Sequence, residues 1–134
     1  KLAIEYSDYE FIIPIHPNPN VKKHRHILKN VTVVEPLEHN DLIKILMESN
    51  LIISDSGGLQ EEGSFFNKKV IVCRKTTERP EGIDTGHLHL CDSPNDLYDL
   101  FGKLIENPYI SKNCPYGEGN TSEKVLKILR DEKL

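Results

Sequence analysis

The chain has 134 residues, enough for one domain with a real buried core. Hydrophobic residues make up 37% and charged residues 28%, and the formal charge is −4. The 17 Lys and Arg are scattered rather than striped, which argues against a nucleic-acid surface, where clustered cations must displace counterions.

No apolar run approaches the ~20 residues that span a bilayer. Nor does the start carry the basic, apolar and small-residue order of a secretory leader. The expected setting is therefore cytoplasmic, with no membrane partner. The opening Lys1, in place of Met, fits a processed chain or an excerpt from a longer one. Cys73, Cys91 and Cys114 are odd in number and far apart, so all are read as reduced, structural thiols.

Taken in chain order, residues 1–8 read as the end of a helix. The runs 11–15 (FIIPI), 32–34 (TVV), 51–54 (LIIS), 70–73 (VIVC) and 88–91 (LHLC) are short, apolar and bounded by Pro, Asn, Gly or Lys. They read as buried strands of a mostly parallel sheet. Between them, 40–48 carries Leu42, Ile43, Leu46 and Met47 at helical spacing, with Asn40 as a candidate cap. Helices are also predicted over 58–66, over 95–106 with Ser93 or Asn95 as cap, and over 121–132 with Asn120 or Thr121 ahead of it. Segment 76–87 is the longest stretch expected to be irregular, and such stretches in compact domains are often functional. The strand–helix alternation predicts an α/β fold, Rossmann-like and doubly wound.

Ser54-Asp55-Ser56-Gly57-Gly58-Leu59-Gln60-Glu61-Glu62 joins a strand to a helix. Its glycines let a ligand approach the backbone without meeting a Cβ. The first helical turn leaves N–H donors unpaired where the helix dipole favours negative charge. A diphosphate suits that turn, with Ser56 adding a hydroxyl and Glu62, about one turn on, able to accept from vicinal ribose hydroxyls. The same pattern also fits a Ser-capped helix with glycines for packing.

Arg74-Lys75-Thr76-Thr77-Glu78-Arg79-Pro80-Glu81-Gly82 follows the next apolar run and should lie at the carboxyl edge of the sheet, where ligands gather. Arg79, before Pro80, is expected to be extended. A solvated polar turn is the competing reading. His16, in His16-Pro17-Asn18-Pro19-Asn20, could be presented at the same edge or merely bond a backbone group.

His24-Arg25-His26 and His87-Leu88-His89 lack the Cys or carboxylate that would complete a zinc set, so no metal is expected. The sequons at Asn30 and Asn120 are taken as chance. The loop Asn113-Cys114-Pro115-Tyr116-Gly117-Glu118-Gly119-Asn120, ahead of the last helix, has glycines that could again admit a ligand. No Ser–His–Asp grouping, P-loop or complete Gly-x-Gly-x-x-Gly occurs.

In this order the segments His16–Pro19, Pro36-Leu37, Asp55–Glu62, Thr76–Glu81 and Pro115–Gly119 resemble the non-hydrolysing UDP-N-acetylglucosamine 2-epimerases. The resemblance runs from about residue 11 to near the end. It implies one half of a two-domain architecture of the GT-B type, in which this chain is the second, UDP-binding domain. It implies that Ser56, Gly57 and Gly58 hold the diphosphate, that Glu62 holds the ribose, and that Leu42 lies by the uracil where family members often carry an aromatic residue. Arg79 and His16 would face phosphates or sugar.

The implied partners are UDP or UDP-N-acetylglucosamine and a first domain or complementary chain, with a homodimer possible; no cofactor is implied. The implied reaction inverts C2 of the sugar through loss and return of UDP. Its catalytic carboxylates belong to the first domain, so no catalytic residue is assigned here. The family's His-Arg-Arg-Glu-Asn strand is also missing. In doubly wound order that strand is central, and strands beside its place would lack a hydrogen-bonded neighbour, so extra residues in the natural protein, a partner strand or a rearranged sheet is expected. A non-catalytic UDP-sugar-binding module and part of a GT-B glycosyltransferase are the alternative readings.

Overall fold

The computed structural model describes residues 1–131, which form two compact units, residues 1–45 and residue 46 onward. In the first, a short helix α1 (Leu2–Glu5) precedes β1 (Ile12–Pro14), α2 (Pro19–Lys22), a 3-10 turn (Arg25–Ile27), β2 (Thr32–Val34) and the start of α3 (His39–Glu48). β1 and β2 are parallel, with Ile13 opposite Val33.

The crossover between them contains α2, which has too few residues to carry a helical period in sequence. Its chemistry is nonetheless local. Pro19 sits at the first helical position, where no N–H is needed, and Asn18 Oδ1 accepts from the Asn20 N–H at 2.8 Å. Burial of this pair of strands is weaker than expected: Ile15 is 2% exposed, but Ile12 is 37% exposed. α3 starts one residue before Asn40, so Asn40 lies inside the first turn and does not cap it; the Glu38 carbonyl accepts there from the N–H groups of Asp41 and Leu42.

The second unit holds a three-stranded parallel sheet in the order β3 (Ile52–Ser54), β4 (Val70–Val72), β5 (Leu88–Leu90), with Ile53 opposite Ile71 and Ile71 opposite His89. β4 is central, and Val70, Ile71 and Val72 are all 0% exposed. That explains a continuous apolar run in place of an alternating one. α4 (Gly57–Phe65) packs closely on this sheet. A Cβ at Gly63 would stand 2.8 Å from Ile52 Cδ1 and from Val70 Cγ2, so the helix approaches through a missing side chain.

α5 (Pro80–Asp84) occupies part of the stretch expected to be irregular; Pro80 at its first position starts it, and its Gly82 hides it from a search for apolar periodicity. α6 (Pro94–Glu106) matches expectation, buries Phe101, Leu104 and Ile105, and is capped by Ser93 Oγ on the Asp96 N–H. In α7 (Thr121–Asp131), Val125, Leu126, Ile128 and Leu129 form an apolar set that is about half exposed. Residue 132, included in the predicted helix, lies outside the described residues. Asn120 Oδ1 has no hydrogen-bond partner, so it does not cap α7 through its side chain.

The parallel α/β order is that of a Rossmann-like fold. The sheet is in two pieces, β1–β2 and β3–β4–β5, and among the described residues β1 pairs only with β2 and β3 only with β4.

His87, just before β5, is fully buried, with Nδ1 2.8 Å from Thr85 Oγ1 and Nε2 unpartnered. Burial, helped by His89, lowers its pKa, and burial lowers that of His89 too. The unfolded imidazoles take up protons near pH 6.5, whereas the folded ones resist until lower pH. Stability is thus fully present above about pH 7 and falls as pH drops through 6.5. Urea midpoints between pH 8 and 5 should show that fall, and His87→Gln should flatten it.

Candidate functional site

At the carboxyl end of β3 the chain turns through Asp55 and Ser56 into α4. Ser56 is extended (φ −76°, ψ 130°), and its N–H donates to Ser54 Oγ at 3.0 Å. Its own hydroxyl makes no capping bond, and the first helical bond is from the Gln60 N–H to the Ser56 carbonyl at 3.3 Å. The N–H groups of Gly57, Gly58 and Leu59 therefore precede the helical ladder and have no partner within it. Nothing but Ser56 Oγ, at 3.9 Å, stands near the position a Gly58 Cβ would take.

Gly57 is the opposite case. A Cβ there would meet Arg79 Nη1 at 2.7 Å, Cζ at 3.0 Å and Nη2 at 3.1 Å. The guanidinium of Arg79 thus lies against the first residue of α4, so a fixed positive charge reinforces the positive end of the helix dipole. This contact joins two segments that the sequence reading treated separately.

Arg79 is also held at its Nε, which donates to Glu61 Oε1 at 2.5 Å, while Glu78 lies 3.7 Å from Nη1. Its backbone (φ −128°, ψ 59°) is bent short of the extended form expected before proline. Gly57→Ala should push the flexible guanidinium aside at little cost in thermal midpoint.

Glu62, half-buried one turn into α4, lines a cavity of about 200 Å³ together with Glu61, Phe65, Cys114, Tyr116 and Gly119. Ser56, Gly57, Gly58, Glu62 and Arg79 therefore gather around the start of α4, within the second unit. His16 and Leu42 belong to the first unit. His16 is exposed and its Nδ1 accepts from the Asn18 N–H at 3.1 Å, so it bonds a backbone group locally; Leu42 is half-buried in the first part of α3.

Among the described residues, no group of His, Cys, Asp and Glu is arranged to hold a metal ion, and no helix is long and apolar enough to cross a membrane. Glu61 was not singled out from sequence. Its position beside Glu62 in the motif gave no hint that it would face Arg79.

A family model described as UDP-N-acetylglucosamine 2-epimerase matches residues 1–130. The chain belongs to the UDP-N-acetylglucosamine 2-epimerase family. Among curated relatives, the enzyme of that name from Neisseria meningitidis is 40% identical over 96% of this chain and 37% of its own length, and that from Bacillus subtilis is 36% identical over 96% and 37%. The crystal structure of the Neisseria meningitidis epimerase bound to UDP-GlcNAc is similar, with a TM-score of 0.88 and 36% identity over 97% of this chain and 38% of that one. A co-structure with UDP of an S. aureus protein gives a TM-score of 0.88 and 35% identity over 99% and 39%.

The epimerase-family resemblance and the Rossmann-like α/β class read from sequence both hold. The chain spans well under half the length of the relatives it matches.

Proposed function

We propose that this chain forms the UDP-binding side of a UDP-N-acetylglucosamine 2-epimerase, with the α4 turn holding the diphosphate. The observation that carries the reading is the Arg79 guanidinium lying against Gly57 at a helix start whose N–H donors are uncommitted. Relatives of the same fold have been crystallised with UDP-GlcNAc or UDP, which supports the choice of ligand.

In this reading Ser56, Gly57 and Gly58 bond the diphosphate oxygens, and Arg79 neutralises them. Glu62 takes the ribose hydroxyls. The reaction removes the C2 proton of the sugar and expels UDP from C1, and UDP returns after reprotonation from the other face. Charge grows on the diphosphate as it leaves, so a positive helix end and an Arg stabilise the transition state more than the ground state. The acid and base carboxylates are assigned to a first domain outside this chain.

Structural features fit such a larger partner. The open edges of β1 and β3 are each suited to a further strand, and the half-exposed apolar set of α7 is suited to burial against another surface. The unpaired cysteines suit a reducing cytoplasm. Calorimetric titration of the full-length protein with UDP tests the reading. Binding in the micromolar range is expected, and absence of heat and of any thermal shift at millimolar UDP would overturn it.

A further inference from the structure

Arg79 can serve a diphosphate only if its loop is held at the right height above α4, and the structure supplies a support for that loop from two directions. On one side, Thr77 Oγ1 accepts from the Arg79 N–H at 3.1 Å and donates to Gln60 Oε1 at 2.6 Å. Gln60 is 0% exposed and lies in α4, so the hydroxyl keys the Arg79 backbone to the same helix whose start the guanidinium touches.

On the other side, the Tyr116 hydroxyl donates to the Arg79 carbonyl at 3.1 Å. That reach passes over Gly82, where an added Cβ would stand 2.3 Å from the Tyr116 oxygen and 2.5 Å from Leu88 Cγ. The tyrosine therefore reaches Arg79 because position 82 has no side chain. The peptide groups on both sides of the Arg79 Cα are thus fixed, one through its N–H and the other through its C=O.

Resting on the UDP reading above, we propose that Tyr116 is a positioning residue for Arg79. Its hydroxyl anchors the Arg79 peptide so that the guanidinium stays over the Gly57 end of α4, where the diphosphate binds. Tyr116 lines the cavity beside Glu62, so it also ties the 114–119 loop to the same anion site. Three properties follow. The contribution of Tyr116 acts through Arg79, it concerns phosphates rather than nucleoside, and it resides in the hydroxyl rather than the ring.

The test is a double-mutant cycle on the full-length protein, with UDP and uridine titrated calorimetrically into wild type, Tyr116→Phe, Arg79→Ala and the double variant. Tyr116→Phe keeps the ring's shape, and its thermal midpoint without ligand controls for folding. The expected result is a loss of about three- to tenfold in UDP affinity for Tyr116→Phe, the scale of one neutral hydrogen bond, with uridine affinity unchanged. In the Arg79→Ala background the same substitution should change nothing.

Unchanged UDP affinity in Tyr116→Phe, or an equal loss in both backgrounds, or an equal loss for uridine, would overturn the proposal. Wild type that fails to bind UDP at all would instead overturn the reading on which it rests. Should Tyr116→Phe unfold, Thr77→Val applied in the same cycle tests the other half of the support and should show the same dependence on Arg79; an Arg79-independent loss there would overturn the positioning role.

Discussion

Arg79→Ala is expected to lower UDP affinity about a hundredfold while leaving the thermal midpoint of the unliganded protein nearly unchanged. Hydrogen bonds to a charged partner contribute about 1.5–3 kcal/mol, or roughly ten- to a hundredfold in affinity. A second effect acts in the same direction. Glu61, now paired with Arg79 Nε at 2.5 Å, loses its countercharge and leaves a carboxylate close to the turn proposed for the diphosphate. The cost to folding is small because the pair is not deeply buried: Arg79 is 25% and Glu61 48% exposed at the side chain, and exposed pairs contribute little. Calorimetry at fixed ionic strength, with the melting curve alongside, separates these outcomes. Adding Glu61→Ala to Arg79→Ala should recover part of the lost affinity, because it removes the repulsion without restoring the cation.

Ile71→Ala should cost about 2–5 kcal/mol in unfolding free energy, the range for deleting a fully buried branched side chain and leaving a cavity. Ile71 is 0% exposed at the centre of β4, with β3 on one side and β5 on the other. The side chain projects from a face of the sheet, so the cavity opens between the sheet and what packs on that face. Urea denaturation of the full-length protein measures it through a lowered midpoint at constant slope. The contrast with Arg79→Ala is the useful part. The sheet is expected to carry stability and the loop at its carboxyl edge to carry binding.

Much of the second unit was legible in the sequence because its central strand is buried on both faces. Val70–Val72 is apolar without interruption, and the Pro and Ser residues that open α6 act locally, so patterning and capping point to one answer. The turn into α4 was legible for the same reason: Ser56, Gly57 and Gly58 carry their meaning in adjacent residues. α2 and α5 were missed because helices of four and five residues cannot show a 3.6-residue period, and α5 contains a glycine.

The meeting of Arg79 with Gly57 was not legible. It depends on where two loops end in space, and on side chains that are missing as much as on those present, as at Gly57 and Gly82. Gln60 is the clearest case. A glutamine in an acidic stretch reads as solvated, yet it is fully buried and holds Thr77.

The most direct test is a crystal structure of the full-length protein with UDP. The diphosphate oxygens are expected to accept from the N–H groups of Gly57 and Gly58 with the Arg79 guanidinium within hydrogen-bonding distance. A diphosphate bound elsewhere, with the start of α4 left to solvent and Arg79 still paired only with glutamates, would contradict the account.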